Sequence, residues 1–218
     1  MKVGTDGVLL GAWADVKSAS KILDIGTGSG LISLMLAQRS TASITAIDID
    51  KDACIQAKIN ADNTIWNNRI EIKNTDLKAF SAFLDQKFDL IVSNPPYFKN
   101  SLQTPEIART TARHATTDFH NEIIISSLKI LTENGKLCLI LPITEGNECI
   151  AFAQKNELFC NKKTTVFPKS NSAAKRILIE LSRQNSPCIE SQLTIESEIR
   201  HSYTEDFKIL VKDFYLKL

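Results

Sequence analysis

The chain has 218 residues, a net charge of +1 and 43% hydrophobic residues. That length suffices for one domain, residues 1–218, with a core needing no covalent staples, and no apolar run approaches the ~18 residues of a membrane span. The five cysteines (Cys54, Cys138, Cys149, Cys160, Cys188) form no C-x-x-C pair and the three histidines do not cluster with them, so neither a zinc site nor a disulfide framework is indicated and no metal is expected. Met1 to Trp13 carries acid and glycine where a signal peptide carries its apolar stretch, which predicts a cytoplasmic protein.

In chain order, a short lead-in helix is expected over about 6–14, then a strand Lys21 to Ile25, a helix Leu31 to Gln38 and a strand Ser43 to Ile47. A helix Lys51 to Asn63, a strand Arg69 to Lys73, a helix Leu77 to Leu84 and a strand Phe88 to Val92 continue the alternation. After a long loop come a helix Phe119 to Leu131 and a strand Lys136 to Leu141. Short apolar strands spaced by amphipathic helices imply right-handed crossovers and a parallel sheet covered on both faces. Beyond Pro142 the rhythm changes: a helix from about Glu145 to Lys155 precedes two strand-like runs, Phe159 to Phe167 and Arg176 to Ser182, joined by the turn-rich Pro168 to Ser172. A last helix, Thr204 to Tyr215, repeats apolar residues at Phe207, Leu210, Val211 and Phe214. The predicted fold is thus α/β, a doubly wound, mostly parallel seven-stranded sheet ending in an antiparallel hairpin.

Charge is uneven along the chain. Residues 155–183 hold seven Lys/Arg against two Asp/Glu, whereas residues 1–94 hold ten against eleven. Such a segment is either a solvated surface or an electrostatic footprint for a polyanion.

Lys21 to Gly30 reads as a strand running into a glycine-rich turn that opens a helix. Gly26, Gly28 and Gly30 permit positive φ and close approach of a ligand, and the helix start offers free N–H groups. A dinucleotide site wants a third glycine, or an alanine, where this chain has Ser33, so the NAD reading is weakened. Asp24, two residues before Gly26, would repel a pyrophosphate but suits the ammonium group of a methionine moiety, which favours S-adenosylmethionine. At the end of the second strand Asp48 is placed to accept from both ribose hydroxyls, with Asp50 better suited to cap the next helix and Ile49 to cover one face of the adenine. Asp76, followed by Leu77, either accepts from the adenine amino group or caps the helix that follows.

The fourth strand runs into Asn94-Pro95-Pro96-Tyr97, the most specific feature of the chain. An exocyclic amino nitrogen conjugated to a ring is a poor nucleophile, so methylating it requires alignment and polarisation. The Asn94 side-chain oxygen and the Pro95 carbonyl can accept its two N–H bonds, the successive prolines hold those acceptors rigid, and Tyr97 offers a stacking face. Asp24 to Gly30 together with Asn94-Pro95-Pro96-Tyr97 resembles the class I amino-methyltransferases, which modify adenine N6, guanine N2 or glutamine N5. Met1 to Trp13, Ala112-Arg113-His114, Lys175-Arg176 and Asp213 to Lys217 resemble the narrower bacterial group that methylates N6 of the adenine 3′ to the anticodon in a valine tRNA. The resemblance implies a Rossmann-like fold, S-adenosylmethionine as cofactor, Thr5 and Asp6 near its methionine end, although N-capping of the first helix explains both side chains equally well, and a tRNA partner; a monomer is expected. Lys99, Arg109, Arg113 and His114 after the motif, with Lys162, Lys163, Lys169, Lys175 and Arg176, are the residues expected to meet the RNA. Members of the group usually carry a short strand-rich segment ahead of the Met-Lys-Val-Gly-Thr-Asp stretch, which is where this chain starts. The same motif also serves glutamine N5 methylation, and a catalytically silent cofactor-binding RNA adaptor is the alternative from another class.

Overall fold

The computed structural model describes residues 4–82, 86–96, 106–198 and 202–215, the backbone alone over 106–116. The first helix, α1 (Thr5–Trp13), leads into β1 (Lys21–Ile25), α2 (Leu31–Arg39), β2 (Ser43–Asp48) and α3 (Lys51–Asp62). A 3-10 turn at Asn67–Arg69 precedes β3 (Ile70–Asn74), α4 (Leu77–Ala82) and β4 (Phe88–Ser93). The chain continues through α5 (Glu106–Ile130), β5 (Leu131–Pro142), α6 (Ile143–Lys155), β6 (Phe159–Lys169), β7 (Arg176–Ser182), β8 (Ile189–Glu196) and α7 (Glu205–Val211). Among the described residues no helix is long and apolar enough to cross a membrane.

The sheet has eight strands in the order β3-β2-β1-β4-β5-β7-β6-β8, parallel from β3 to β5 and antiparallel on both sides of β7. The expected seven-stranded sheet is therefore one strand short. The eighth, β8, runs parallel to β6 at the edge, and only Leu193 of it is buried. An edge strand that exposes most of its side chains needs neither an apolar run nor clean alternation, so its pattern is weak. A second departure is α5, which begins at Glu106 rather than near Phe119 and puts Arg109, Arg113 and His114 on a helix instead of in a long loop. The cause is visible afterwards: no proline or glycine interrupts the chain from Glu106 to Ile130.

Apolar residues on the two faces of the sheet build two cores. Ile22, Ile44, Leu90 and Ile140 pack on the face carrying α1, α2 and α7, while Leu23, Ile25, Ile91 and Leu139 pack on the other. The register then decides where function sits. Ile25 pairs with Ile47 on one side and Ser93 on the other, so the chain leaves the sheet at the same level in three neighbouring strands, at Gly26, Asp48 and Asn94. Reversal of strand order at β1 and β4 opens a crevice there, where an open α/β sheet takes its ligands.

Candidate active site

A cavity of about 480 Å³ occupies that crevice, lined by the glycine turn, Asp48, Ile49, Thr75, Leu77, Asn94, Pro96 and Phe119, with Gly4 and Gly7 of α1 closing one side. Gly26, Gly28 and Gly30 have φ of 70°, 58° and 82°, a region that residues with a Cβ rarely adopt. The turn is held from several directions. The Gly26 and Thr27 N–H groups donate to the Ile47 carbonyl at 2.9 and 3.1 Å, and the Gly28 N–H donates to Asp48 Oδ2 at 2.8 Å. Asp48 Oδ1 accepts from the Asp50 N–H at 2.9 Å, while Asp50 caps α3 through the N–H groups of Asp52 and Ala53.

Asp24 is fully buried behind the turn, and its carboxylate is not on the cavity wall. Its Oδ2 accepts from the Ser33 hydroxyl at 2.6 Å and the Thr27 hydroxyl at 2.7 Å, and its Oδ1 has no partner among the described residues. Ser33 thus stands where a third glycine or an alanine would close a dinucleotide fingerprint because it braces this acid, a role the sequence reading missed. Burial pushes the Asp24 carboxyl above the usual carboxylate range, outweighing the two hydroxyl bonds that oppose it. A carboxyl raised in the folded state stabilises the fold below its unfolded value near 3.8, and that contribution is lost as pH rises through the folded pKa. Urea unfolding followed over that window should show the decline in the parent protein and lack it in Asp24→Asn; the same slope in both would remove Asp24 as its source.

The reacting end is built by β4. The Ser93 hydroxyl donates to the Ile25 carbonyl at 2.8 Å and ties the ends of β4 and β1 together. Asn94 and Pro96 follow on the cavity wall, with Pro95 buried between them. A Cβ on Gly7 would meet Leu31 Cδ2 at 3.3 Å and only touch the Asn94 amide nitrogen at 4.0 Å, so the glycine eases the close approach of α1 to α2. Tyr97 and Lys99 lie outside the described residues, as do the side chains of Arg109, Arg113 and His114.

The residues present suit S-adenosylmethionine. Ile49 is 77% exposed yet lies on the cavity wall with Ile47, Leu77 and Phe119, an apolar surface matched to a flat base. Asp48 lies on the wall beside them, a carboxylate that could accept from ribose hydroxyls, and a Cβ on Gly26 would stand in otherwise open space. The Asp24 oxygen that has no partner among the described residues lies behind the turn and off the cavity wall.

Other expected contacts are not gathered here. Asp76 caps α4, accepting from the Ala79 N–H at 2.8 Å, and Thr75 rather than Asp76 reaches the wall. Gly30 packs against Ala57 off the wall, at the start of α2. Thr5 and Asp6 lie on the opposite side of α1 from Gly4 and Gly7, and Asp6 is paired with Arg176 at 2.8 Å. The helix is entered from Gly4 with no side-chain cap, so capping does not account for Thr5 or Asp6 either. The basic segment divides as well: the Lys162 ammonium lies 4.3 Å from the centroid of the Trp13 ring, and Lys163 bonds Glu190 at 2.7 Å, whereas Lys169, Lys175 and Arg176 meet at a second cavity. Gly7, Phe119 and Ser93 were missed. Single glycine, aromatic and serine positions carry no local signal until the fold brings them together.

Residues 4–163 match the family model of the methyltransferase small domain. The chain is 47% identical over 221 residues to the tRNA1(Val) (adenine(37)-N6)-methyltransferase of Parabacteroides distasonis, covering 100% of this chain and 92% of that protein. It is 45% identical over 222 residues to the protein of the same name from Trichodesmium erythraeum, with the same coverage. Among solved structures, a predicted O-methyltransferase from Agrobacterium tumefaciens superposes with a TM-score of 0.73 at 21% identity, covering 95% of this chain and 96% of that one. A glycopeptide N-methyltransferase complexed with S-adenosylmethionine superposes with a TM-score of 0.57 at 13% identity, covering 84% and 90%. These two likenesses are of fold. With an Asn-Pro-Pro turn on the wall of a glycine-rich crevice and this identity along its whole length, the chain belongs to the methyltransferase small domain family, in the group of the tRNA1(Val) (adenine(37)-N6)-methyltransferases.

Proposed function

We propose that the protein transfers a methyl group from S-adenosylmethionine to N6 of the adenine 3′ to the anticodon of a valine tRNA. The observation carrying this reading is the placement of Asn94, Pro95 and Pro96 at the end of β4, level with Gly26 and Asp48, in a chain 47% identical throughout to a relative named for that reaction. S-adenosylmethionine, when bound, supplies a methyl group on a positively charged sulfur. Asp48 would hold its ribose hydroxyls, and Ile49, Leu77 and Phe119 would enclose its base. The Asn94 side-chain oxygen and the Pro95 carbonyl accept the two N–H bonds of the target amino group, holding the nitrogen lone pair on line with the methyl carbon. No general base is needed before transfer, because the nitrogen becomes acidic only once it carries the new bond.

Labelled methyl from the cofactor should enter bulk tRNA, and digestion of that tRNA should yield N6-methyladenosine. Label in protein alone would move the reading to glutamine, and label in neither to a silent adaptor. The affinity for tRNA should weaken steeply with salt. Replacing Lys169 and Lys175 together by glutamine should flatten the dependence by about two phosphate contacts. A salt-independent affinity would return these charges to a solvated surface.

A further inference from the structure

We infer that a second cavity, on the far side of α1 from the cofactor crevice, receives a nucleotide of the RNA that flanks the methylated adenine. This rests on the tRNA reading above and assigns a new subsite within it. The cavity measures about 330 Å³, within the usual range of roughly 300–1,000 Å³ for small-ligand pockets. Its walls come from five elements: α1, the facing ends of β6, β7 and β8, and the α7 region. Leu9, Val166, Ile195 and Phe207 supply an apolar floor, and Tyr203 and Tyr215 flank Phe207 with ring centroids 5.1 and 6.2 Å from it. Neither tyrosine hydroxyl has a hydrogen-bond partner among the described residues, although both rings are half-buried. Such rings suit a base that is stacked on one face and bonded at its edge.

The cavity lining carries three cations, Lys169, Lys175 and Arg176, against two carboxylates, Asp6 and Glu196. Arg176 is fixed by Asp6 at 2.8 Å, Lys169 lies 3.7 Å from Glu196, and Lys175 is exposed with no ion pair among the described residues. The backbone of Lys175 is nonetheless held, its N–H donating to the Val166 carbonyl at 3.0 Å. Lys175 thus brings one positive charge, with no ion pair among the described residues, within a side chain's reach of the aromatic pocket.

Topology relates this cavity to the reacting end. β6 runs in the same direction as β4 and β5, because β7 is antiparallel to both β5 and β6. Following the register from Ser93 through Leu139 and Ile179 leads to Lys163, and Val166, which pairs with Arg176, stands three residues further toward the same sheet edge. Both cavities therefore open at one edge of the sheet, separated by the first turns of α1. Drawing an adenine out of a loop unstacks its neighbours, and an unstacked neighbour lying across α1 meets Tyr203 and Tyr215. The subsite would thus read the sequence or shape beside the target while Asn94 acts on the target itself.

The test uses the whole protein and full-length tRNA carrying 5-iodouridine at single positions of the anticodon loop. Irradiation should link one position next to the target adenine to the peptide containing Tyr203 or Tyr215. In parallel, Tyr203→Ala should raise KM for tRNA by about 10-fold through loss of a stacking face, and Lys175→Gln by a smaller factor, the effect falling on KM rather than on kcat or on cofactor affinity. The exposed Lys175 and the cross-link on the parent protein keep the test informative if Tyr203→Ala fails to fold. An active parent enzyme that cross-links from no loop position to that peptide, with KM unchanged in Lys175→Gln, overturns the subsite alone. A parent enzyme that places no methyl group on tRNA overturns the reading beneath it.

Discussion

Replacing Asp48 by alanine should weaken S-adenosylmethionine binding by roughly 1 to 3 kcal/mol, the usual cost of losing charge-assisted hydrogen bonds. Two losses combine. Asp48 is the carboxylate on the cavity wall proposed to hold the ribose hydroxyls, and it also anchors the glycine turn through the Gly28 N–H at 2.8 Å. Without it that N–H loses its acceptor, and the turn is pinned to β2 only through the Ile47 carbonyl. Asp48→Asn should fall between parent and alanine, since an amide keeps one acceptor oxygen but presents a donor where the second acceptor was. Calorimetry on the protein without RNA gives the comparison directly. An unchanged affinity in Asp48→Ala would place the ribose elsewhere.

Much of this site was legible because its pieces are consecutive in sequence. The parallel strands β1, β2 and β4 are buried on both faces and so appear as apolar runs, and each ends in a short group of residues with unusual chemistry: the glycines, Asp48 and Asn94-Pro95-Pro96. Reading the strand ends was therefore nearly the same as reading the crevice. The first turn of α1 was harder. Gly4, Thr5, Asp6 and Gly7 are contiguous, yet the helix sends the two glycines to one cavity and the two polar residues to another. Only the orientation of α1 about its axis, set by packing on α2 and α7, separates those roles. Asp76 shows a related ambiguity, because a carboxylate after a strand and before a helix suits a ligand and a cap equally, and here the Ala79 N–H takes it. Of the second cavity only the basic rim, Lys169, Lys175 and Arg176, showed in the sequence, as part of a charged segment. Its lining runs from Thr5 to Tyr215, and one of its walls is the edge strand β8, whose polar pattern hides it.

Asn94→Ala should separate chemistry from binding. The side chain stands on the cavity wall at the end of β4, held in place by the buried Pro95 after it and the Ser93 tie to β1 before it. On the proposed mechanism, removing its oxygen takes away one of two acceptors at the point where positive charge develops on the amino nitrogen. The remaining Pro95 carbonyl can hold one N–H but cannot by itself keep the lone pair aimed at the methyl carbon. Transfer should fall by on the order of 100-fold or more, the scale of losing one preorganised hydrogen-bonding group. The affinity for tRNA should barely change, because phosphate contacts that position the RNA lie on other residues. Asn94→Asp makes the complementary comparison: it restores an acceptor oxygen but adds a negative charge, so alignment returns in part while the charge balance of the site changes. Single-turnover measurement with both substrates saturating isolates the step from binding and product release. Methylation of Asn94→Ala at the parent rate under those conditions would show that the amino group is held by other acceptors.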